Sequence, residues 1–376
     1  MIQIERRLSI VTQLTPFICC IEKRGCSGIM IKNYWDPFEY DKLKLLCHKE
    51  KVQSIMDVQS GIKILDNMPP ISVEMHLTDN CNLNCPWCTD RNLHGNGAVL
   101  SLDKIKEMFR YFGQVGSGVT LEGGGEPTIH PDFREIVRYG SECNVDMGLI
   151  TNGTVDISDS INFFKWVRIS LDSSNRDEYI VEKGRDMFNR VMGNILQYRE
   201  IRNQEKSFLG IGYVLTTRNY HDIEDIVCTL DDYGVDYIYF RPVEEAPEIT
   251  PSRDELYDLR KQLLKLTENR RIKFMLTIND RLEYDNAGLP CIAHSLTSII
   301  HANGDVVCCE KRRHDEITFG NVNEMTYKEI WMSGERINTT EKLRTAECQK
   351  GCSVCRITPF NKILDNLKNI NSKSFI

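Results

Sequence analysis

From residue 71 onward, short apolar runs of strand length alternate with stretches whose apolar residues recur at helical spacing. The runs at 71–78, 119–122, 146–151, 166–171, 209–215 and 237–242 read as strands. Between them, 102–112, 132–142, 187–202 and 223–233 read as amphipathic helices. A regular strand–helix alternation predicts an α/β fold with a parallel sheet, and six such units make an incomplete (β/α)6 barrel over 71–288. In barrels of this kind the working groups come from the carboxyl ends of the strands and the loops that follow. A further helix at 253–268 and a short strand at 273–278 lead into the last region.

The flanks read differently. Residues 1–70 suggest an α+β extension, with strands at 8–15 and 28–32 and a helix at 41–58 carried by Leu43, Leu45, Leu46, Val52, Ile55 and Met56. Pro69-Pro70 breaks structure before the first barrel strand. Cys19, Cys20, Cys26 and Cys47 of this extension have no metal-ligand spacing and read as buried small hydrophobes. Residues 289–360 form a second small domain. Within it 299–307 predicts a β-hairpin with an Asn303-Gly304 turn. Residues 361–376 are polar and suggest a short helix and a tail.

Composition narrows the chemistry. The chain has 376 residues, 41% hydrophobic and 27% charged, as expected of a globular protein. Its net charge is −7, and basic residues gather only in short groups such as Lys311-Arg312-Arg313 and Arg270-Arg271, which speaks against nucleic acid as partner. No apolar run reaches the length of a membrane span and no secretory signal opens the sequence, so the expected compartment is the cytosol. There, 15 cysteines in clustered spacings point to metal binding rather than disulfides.

The densest cluster is Cys81-Asn82-Leu83-Asn84-Cys85-Pro86-Trp87-Cys88. Three thiolates in one short loop can hold three irons of a [4Fe–4S] cluster and leave the fourth open to a small molecule. Structural zinc would need a second pair of ligands, and His94 offers one at no familiar spacing. The CxxxCxxC spacing, with an aromatic before its third cysteine, resembles the radical S-adenosylmethionine (SAM) superfamily. Three later segments extend the resemblance. Glu122-Gly123-Gly124-Gly125-Glu126-Pro127 is similar to that family's GGEP motif, Leu149–Gly153 to its ITNG segment and Ile169–Asp172 to its SLD segment. The resemblance implies that SAM chelates the open iron and that carbonyls around Gly124 and Gly125 hold its amino group, with Glu126 shaping the turn. It also implies SAM contacts for Asn152, Ser170 and Asp172. Strand alternation puts Ser170 and Asp172 on one face. Trp87 is expected beside the adenine, or else as a core tryptophan. One departure stands out: where relatives carry an Arg-Gly pair facing the SAM carboxylate, this chain has Glu182-Lys183-Gly184-Arg185, so either Lys183 or Arg185 must take that place.

A second cysteine set follows. Cys291 and the hairpin cysteine Cys309, followed much later by Cys352 and Cys355, form a pattern similar to the SPASM/twitch group of radical SAM enzymes, in the twitch form with one auxiliary cluster. That resemblance implies that these four ligate an auxiliary [4Fe–4S] cluster. Cys308 and Cys348 are then spare. A four-cysteine zinc site is the alternative for this region. Cys348-Cys352-Cys355 repeats the spacing of the first motif, but no glycine-rich turn or βα barrel follows it to make a second SAM site.

The resemblance implies reductive cleavage of SAM to a 5′-deoxyadenosyl radical that takes a hydrogen from the substrate, with flavodoxin or ferredoxin as electron donor. A fully ligated auxiliary cluster suits an electron acceptor. That favours two-electron oxidation of a polar small molecule, such as a sugar- or aminocyclitol-like alcohol, by an oxidoreductase. Alternation in 237–241 turns Tyr239 and Arg241 into the barrel, toward Glu122 and His76. Glu122, Tyr239 and Arg241 are therefore the candidate catalytic and substrate-binding residues. The other reading is a peptide-modifying enzyme that crosslinks or epimerises a ribosomal peptide, with 1–70 docking a leader segment. Epimerisation would use a hydrogen-donating thiol among Cys143, Cys228, Cys308 and Cys348. An electron-transfer protein without catalysis would leave the SAM-contact motifs without a purpose.

Overall fold

The computed structural model describes residues 42–376 apart from 222, 245, 268–269, 277–290, 310–316, 344–356 and 370–376. The chain divides into a unit of residues 1–41, outside the described residues, and a unit of 42–376. The second unit begins with a 3-10 turn, Lys42–His48, and helix α1, Lys49–Gln59. Then come β1 (Ser72–Met75), α2 (Leu102–Val115), β2 (Gly118–Leu121), α3 (Phe133–Glu142), β3 (Met147–Thr151) and β4 (Trp166–Ser170). The middle of the chain forms α4 (Arg176–Lys183), α5 (Phe188–Ile201), β5 (Phe208–Leu215), α6 (Ile223–Asp232) and β6 (Tyr237–Pro242). After these lie α7 (Arg253–Thr267), β7 (Lys273–Leu276), the hairpin β8 (Thr297–Ile300) and β9 (Asp305–Val307), and β10 (Gly320–Asn321). Helices α8 (Tyr327–Trp331), α9 (Gly334–Leu343) and α10 (Thr358–Lys368) finish it.

All six predicted barrel strands and the four helices between them form, within a few residues of their expected ends. Helix α2 shows why. Ile105, Met108, Phe109 and Phe112 fall on one buried face, Ser101 caps the first turn by accepting from Lys104 N, and left-handed Gly116 ends the last. The pattern missed α4, whose buried residues include the charged Glu182 and Lys183, so that it shows no apolar stripe.

The sheet has ten strands in the order β10-β9-β8-β1-β2-β3-β4-β5-β6-β7. From β8 to β7 every neighbouring pair is parallel, while β9 and β10 are antiparallel. The expected hairpin is there, but β8 pairs with β1 from Ser72↔Thr297 to Met75↔Ile300. The barrel sheet therefore continues into the region predicted as a separate C-terminal domain.

One face of the sheet is apolar and packs under the helices, through residues such as Val73, Leu121, Leu149, Ile169, Ile211, Ile238 and Phe240. The other face is polar and aromatic. Two glycines there make room for large rings: a methyl group on Gly148 would lie 2.2 Å from the Trp166 ring, and one on Gly210 2.1 Å from Tyr237.

A second apolar cluster joins α1 to the far end of the chain through Leu45, Ile55, Ile292, Ala293, Leu296, Ile357 and Leu364. Residues 42–70 thus share a core with the C-terminal region instead of standing apart. Cys47, expected inside, is exposed beside exposed Leu46, because the 3-10 turn rotates this part of the helix away from the stripe. Cys19, Cys20 and Cys26 lie outside the described residues. Among the described residues no helix is long and apolar enough to cross a membrane.

The junction is polar at its centre. Lys51 pairs with Asp66 out of contact with water and donates to Met68 O (2.9 Å). Arg336 donates to Asp66 O (3.1 Å) and Trp331 O (2.8 Å) and stacks on the Trp331 ring at 3.6 Å. Burial pushes the Lys51 ammonium down to about 8 despite Asp66. Removing the carboxylate strands both cations, so Asp66→Ala should destabilise the protein by about 3–5 kcal/mol in denaturant unfolding. Exposed Asp258→Ala, whose partner Lys261 is also in water, should cost under about 1 kcal/mol.

Candidate functional site

The chain leaves β1 through His76–Asp79, all buried, and enters the loop of Cys81, Cys85 and Cys88 at the carboxyl end of the sheet. That loop is tied to two other strand–helix units. Asn82 donates to Thr154 Oγ1 (2.7 Å) and accepts from Asn152 Nδ2 (2.7 Å), both beyond β3. Asn84 N donates to Lys183 O (3.0 Å) at the end of α4, and Leu83 is buried between these anchors. Within the loop, Cys88 N donates to Cys85 O (3.3 Å).

All three thiols are partly buried. Burial pushes each of them above the ordinary thiol range, Cys88 to about 12. Repulsion adds to this: Cys81 is raised by Cys85, and Cys88 by both Cys85 and Cys81, so the three sulfurs lie within electrostatic reach of one another. Three close, partly buried thiols that resist ionisation as a set are what a polynuclear cationic group stabilises, since a bound metal takes a thiol fully to thiolate. Among the described residues no three His, Cys, Asp or Glu side chains converge on a single ion. The donor set fits a [4Fe–4S] cluster, whose three irons would take one sulfur each.

The glycine-rich turn after β2 packs directly on the segment before this loop. Gly125 N donates to Thr78 O and Glu126 N to Asn80 O, both at 2.8 Å. Gly124 is left-handed (φ 61°), and a methyl group on it would lie 2.7 Å from Asp79 Oδ1; one on Gly125 would lie 1.9 Å from Asn80 O. Glu126 is fully enclosed. It accepts from Thr128 N (3.1 Å), Thr128 Oγ1 (2.6 Å), Thr151 Oγ1 (2.6 Å) and Asn152 N (2.7 Å), and so joins the turn to the end of β3. Burial raises its carboxyl above the ordinary range against the pull of those hydrogen bonds.

Beyond β4 the expected face-sharing of Ser170 and Asp172 ends, because Asp172 is left-handed (φ 58°) and breaks the alternation. Ser170 stays partly exposed on the interior face. The Asp172 carboxylate is committed to the protein: it pairs with buried Lys183 and accepts from Val214 N (2.6 Å). Of the two candidates for the missing arginine, Lys183 lies at the cluster loop, its ammonium 5.4 Å from the centre of the Trp87 ring, whereas Arg185 is exposed. Burial works against the Lys183 charge, yet Asp172 and the Cys85 sulfur hold it above the usual lysine range. Trp87 packs against Val214, Val243 and Ala246 and donates to Glu182 Oε2 (2.6 Å). Glu182 also takes Arg218 Nε (2.7 Å) and Thr216 Oγ1 (3.2 Å). The sequence reading missed Asn82, Glu182 and Arg218. Asn82 and Glu182 are direct neighbours of motif residues; nothing local marks Arg218.

Alternation on β6 is as expected. Ile238 and Phe240 enter the helix-covered core, while Tyr239 faces the interior, 4.7 Å from the Arg168 guanidinium. Arg241 is partly exposed at the strand's end and pairs with Glu244 (3.3 Å). Glu122 is partly buried just past β2. His76 stacks on His301 of the hairpin, ring centres 5.0 Å apart.

Of the second cysteine set, Cys291 precedes β8 and Cys309 follows β9, both half-buried. Cys308 is inside the main core. Cys348, Cys352 and Cys355 lie outside the described residues. Cys228 accepts from Arg270 Nη2 (3.1 Å), and Cys143 packs at the edge of the core.

Comparison with known proteins matches residues 75–230 to the radical SAM superfamily and residues 291–356 to SPASM, an iron–sulfur cluster-binding domain. The AdoMet-dependent heme synthase of Methanosarcina barkeri is 24% identical over 318 residues, covering 76% of this chain and 88% of its own. The mycofactocin maturase MftC of Mycolicibacterium smegmatis is 23% identical over 304 residues, covering 76% and 75%. Streptococcus suis SuiB bound to SAM shares the fold at a TM-score of 0.61 and 15% identity, over 99% of this chain and 88% of that one. SuiB bound to its precursor peptide SuiA aligns at a TM-score of 0.60.

Close docking of the loop on α4 gives a test. Gly184 is left-handed (φ 70°), and a methyl group there would lie 2.5 Å from Asn84 O. Gly184→Ala should cost about 1–2 kcal/mol of stability and lower the iron and sulfide retained after anaerobic reconstitution, whereas Gly193→Ala, in open space within α5, should raise stability by about 0.5–1 kcal/mol and leave the iron and sulfide unchanged.

Proposed function

We propose that this chain, a radical SAM enzyme with a SPASM domain, modifies a residue within a peptide substrate. The observation that carries the reading is its fold-wide likeness to SuiB, whose precursor peptide binds the same architecture. Similarity to a maturase over 76% of this chain supports it further. The expectation of a small alcohol substrate is the second reading. It draws support from the polar wall at the sheet's carboxyl end, where Glu122, Ser170 and Arg241 lie partly exposed.

In either case Cys81, Cys85 and Cys88 are assigned to the SAM cluster, and Cys291, Cys309, Cys352 and Cys355 to one auxiliary cluster. The bound cluster and SAM supply the radical that abstracts hydrogen. The chain's own residues orient and enclose. Glycines 124 and 125 bring backbone to the SAM amine, and Glu126 holds that turn to Asn152. Lys183 would face the SAM carboxylate in place of the family's arginine, and Trp87 beside it would take the adenine side. Glu122, Tyr239 and Arg241 meet the substrate, where a carboxylate within reach of the reacting carbon takes up the proton released on oxidation.

Anaerobically reconstituted protein with SAM and a reductant should release 5′-deoxyadenosine, and Cys81→Ala should release none. With a small peptide encoded beside the gene, mass spectrometry should find either loss of two hydrogens, for a crosslink, or solvent deuterium at one α-carbon, for epimerisation. Unmodified peptide together with oxidation of a polyol would sink the peptide reading in favour of the second.

A further inference from the structure

His94 lies six residues beyond the last cysteine of the first motif, in a run of turns closed by Leu93 N to Asp90 O (2.9 Å), His94 N to Arg91 O (3.3 Å) and Asn96 N to Leu93 O (3.1 Å). Its spacing fits no metal-ligand pattern. Its side chain nevertheless returns to the centre of the site: Nε2 is 3.0 Å from Gly124 O and 3.9 Å from Cys88 Sγ. A carbonyl oxygen can only accept, so Nε2 carries the hydrogen and the contact fixes the tautomer. The carbonyl it holds belongs to the left-handed glycine of the SAM-binding turn, and the sulfur beside it to the cluster loop.

We propose that His94 is a positioning residue that couples these two loops, holding the Gly124 carbonyl at the angle SAM requires while its N–H edge tunes the potential of the cluster through Cys88. The proposal rests on the assignment of Cys81, Cys85 and Cys88 as cluster ligands, not on the identity of the substrate. The Gly124 carbonyl has two lone pairs, so donation from His94 orients the peptide plane without using the pair that would meet an ammonium. That hydrogen goes to Gly124 O, so toward Cys88 Sγ at 3.9 Å the ring presents the positive end of the N–H dipole, which would stabilise a more negative, reduced cluster and raise its potential. The imidazole thus bridges residues 89–97 to the glycine turn across thirty positions of sequence.

The test uses full-length, anaerobically reconstituted protein and no substrate. His94→Phe keeps a ring but no donor; His94→Gln restores an N–H. His94→Phe should retain the wild-type iron content, bind SAM roughly tenfold more weakly, and shift the midpoint potential of the SAM-responsive electron paramagnetic resonance signal to more negative values. His94→Gln should recover most of the affinity. Wild-type SAM affinity and potential in His94→Phe would overturn the proposal. So would equal loss of iron from both variants in step with melting temperature, which would mark His94 as a loop staple. A SAM-responsive signal persisting when Cys81, Cys85 and Cys88 are all alanine would remove the ligand assignment, and this proposal with it.

Discussion

The site depends on how tightly one loop is pressed against its neighbours. The segment 78–88 has backbone on three sides: the glycine turn after β2 at 2.8 Å, the Asn152–Thr154 corner after β3, and the end of α4 at Lys183. Side chains would keep these strands of backbone apart, which is why glycine stands at 124, 125 and 184. Backbone groups of the loop find partners in the protein, Asn84 N at Lys183 O and Cys88 N at Cys85 O, and the three thiols stay partly exposed. The geometry of the thiols is therefore set by backbone contacts that exist before any metal arrives.

That arrangement carries a cost. Partial burial raises all three thiols, and neighbouring sulfurs raise Cys81 and Cys88 further, so ionising them together costs energy that a bound cationic group would offset. One compensating charge is already built in. Lys183 is buried beside Cys85, held charged by Asp172, and Asp172 in turn is held by a backbone N–H of β5. Its ammonium faces the Trp87 ring, and Trp87 is fixed by Glu182, which answers to Arg218. Charges alternate outward here, Lys183 against Asp172 and Glu182 against Arg218, so that each of these two pairs offsets the desolvation of its buried members.

How much of this the sequence shows depends on whether the signal is local. The barrel strands, the helices under them and the hairpin turn at Asn303-Gly304 come from periodicity and turn chemistry and form where they are expected. The first cysteine loop and the glycine turn are legible because each is a short run with its own spacing. Tertiary partnerships are not. That Asp172 faces Lys183 instead of sharing a face with Ser170 follows from a left-handed residue at a strand end, which alternation cannot foresee. That residues 42–70 belong with α10 follows from a shared core between segments some 300 residues apart, and that β8 lies beside β1 follows from register. His94 shows the same limit: its spacing excludes it as a ligand, while the fold brings it to the cluster loop by another role.

The continuity of the sheet through β8 has a consequence for the two cysteine sets. Strands β1 and β8 run parallel and in register, so both present the same ends to the same sides. Cys81 follows the carboxyl end of β1. Cys291 precedes the amino end of β8, and Cys309 follows β9, which runs back toward that amino end. Cys81 on one side and the described pair Cys291 and Cys309 on the other therefore hang from opposite ends of adjacent strands, with about 13 Å of four-residue strand between the ends. The interior face of that stretch carries Glu74 and His76 on β1 and its extension, and Ile299 and His301 opposite them, with the two imidazoles stacked. Glu74, Ile299 and the two stacked imidazoles thus form one layer between these two places. A substrate held against Glu122 and Arg241 would lie at the mouth of that layer.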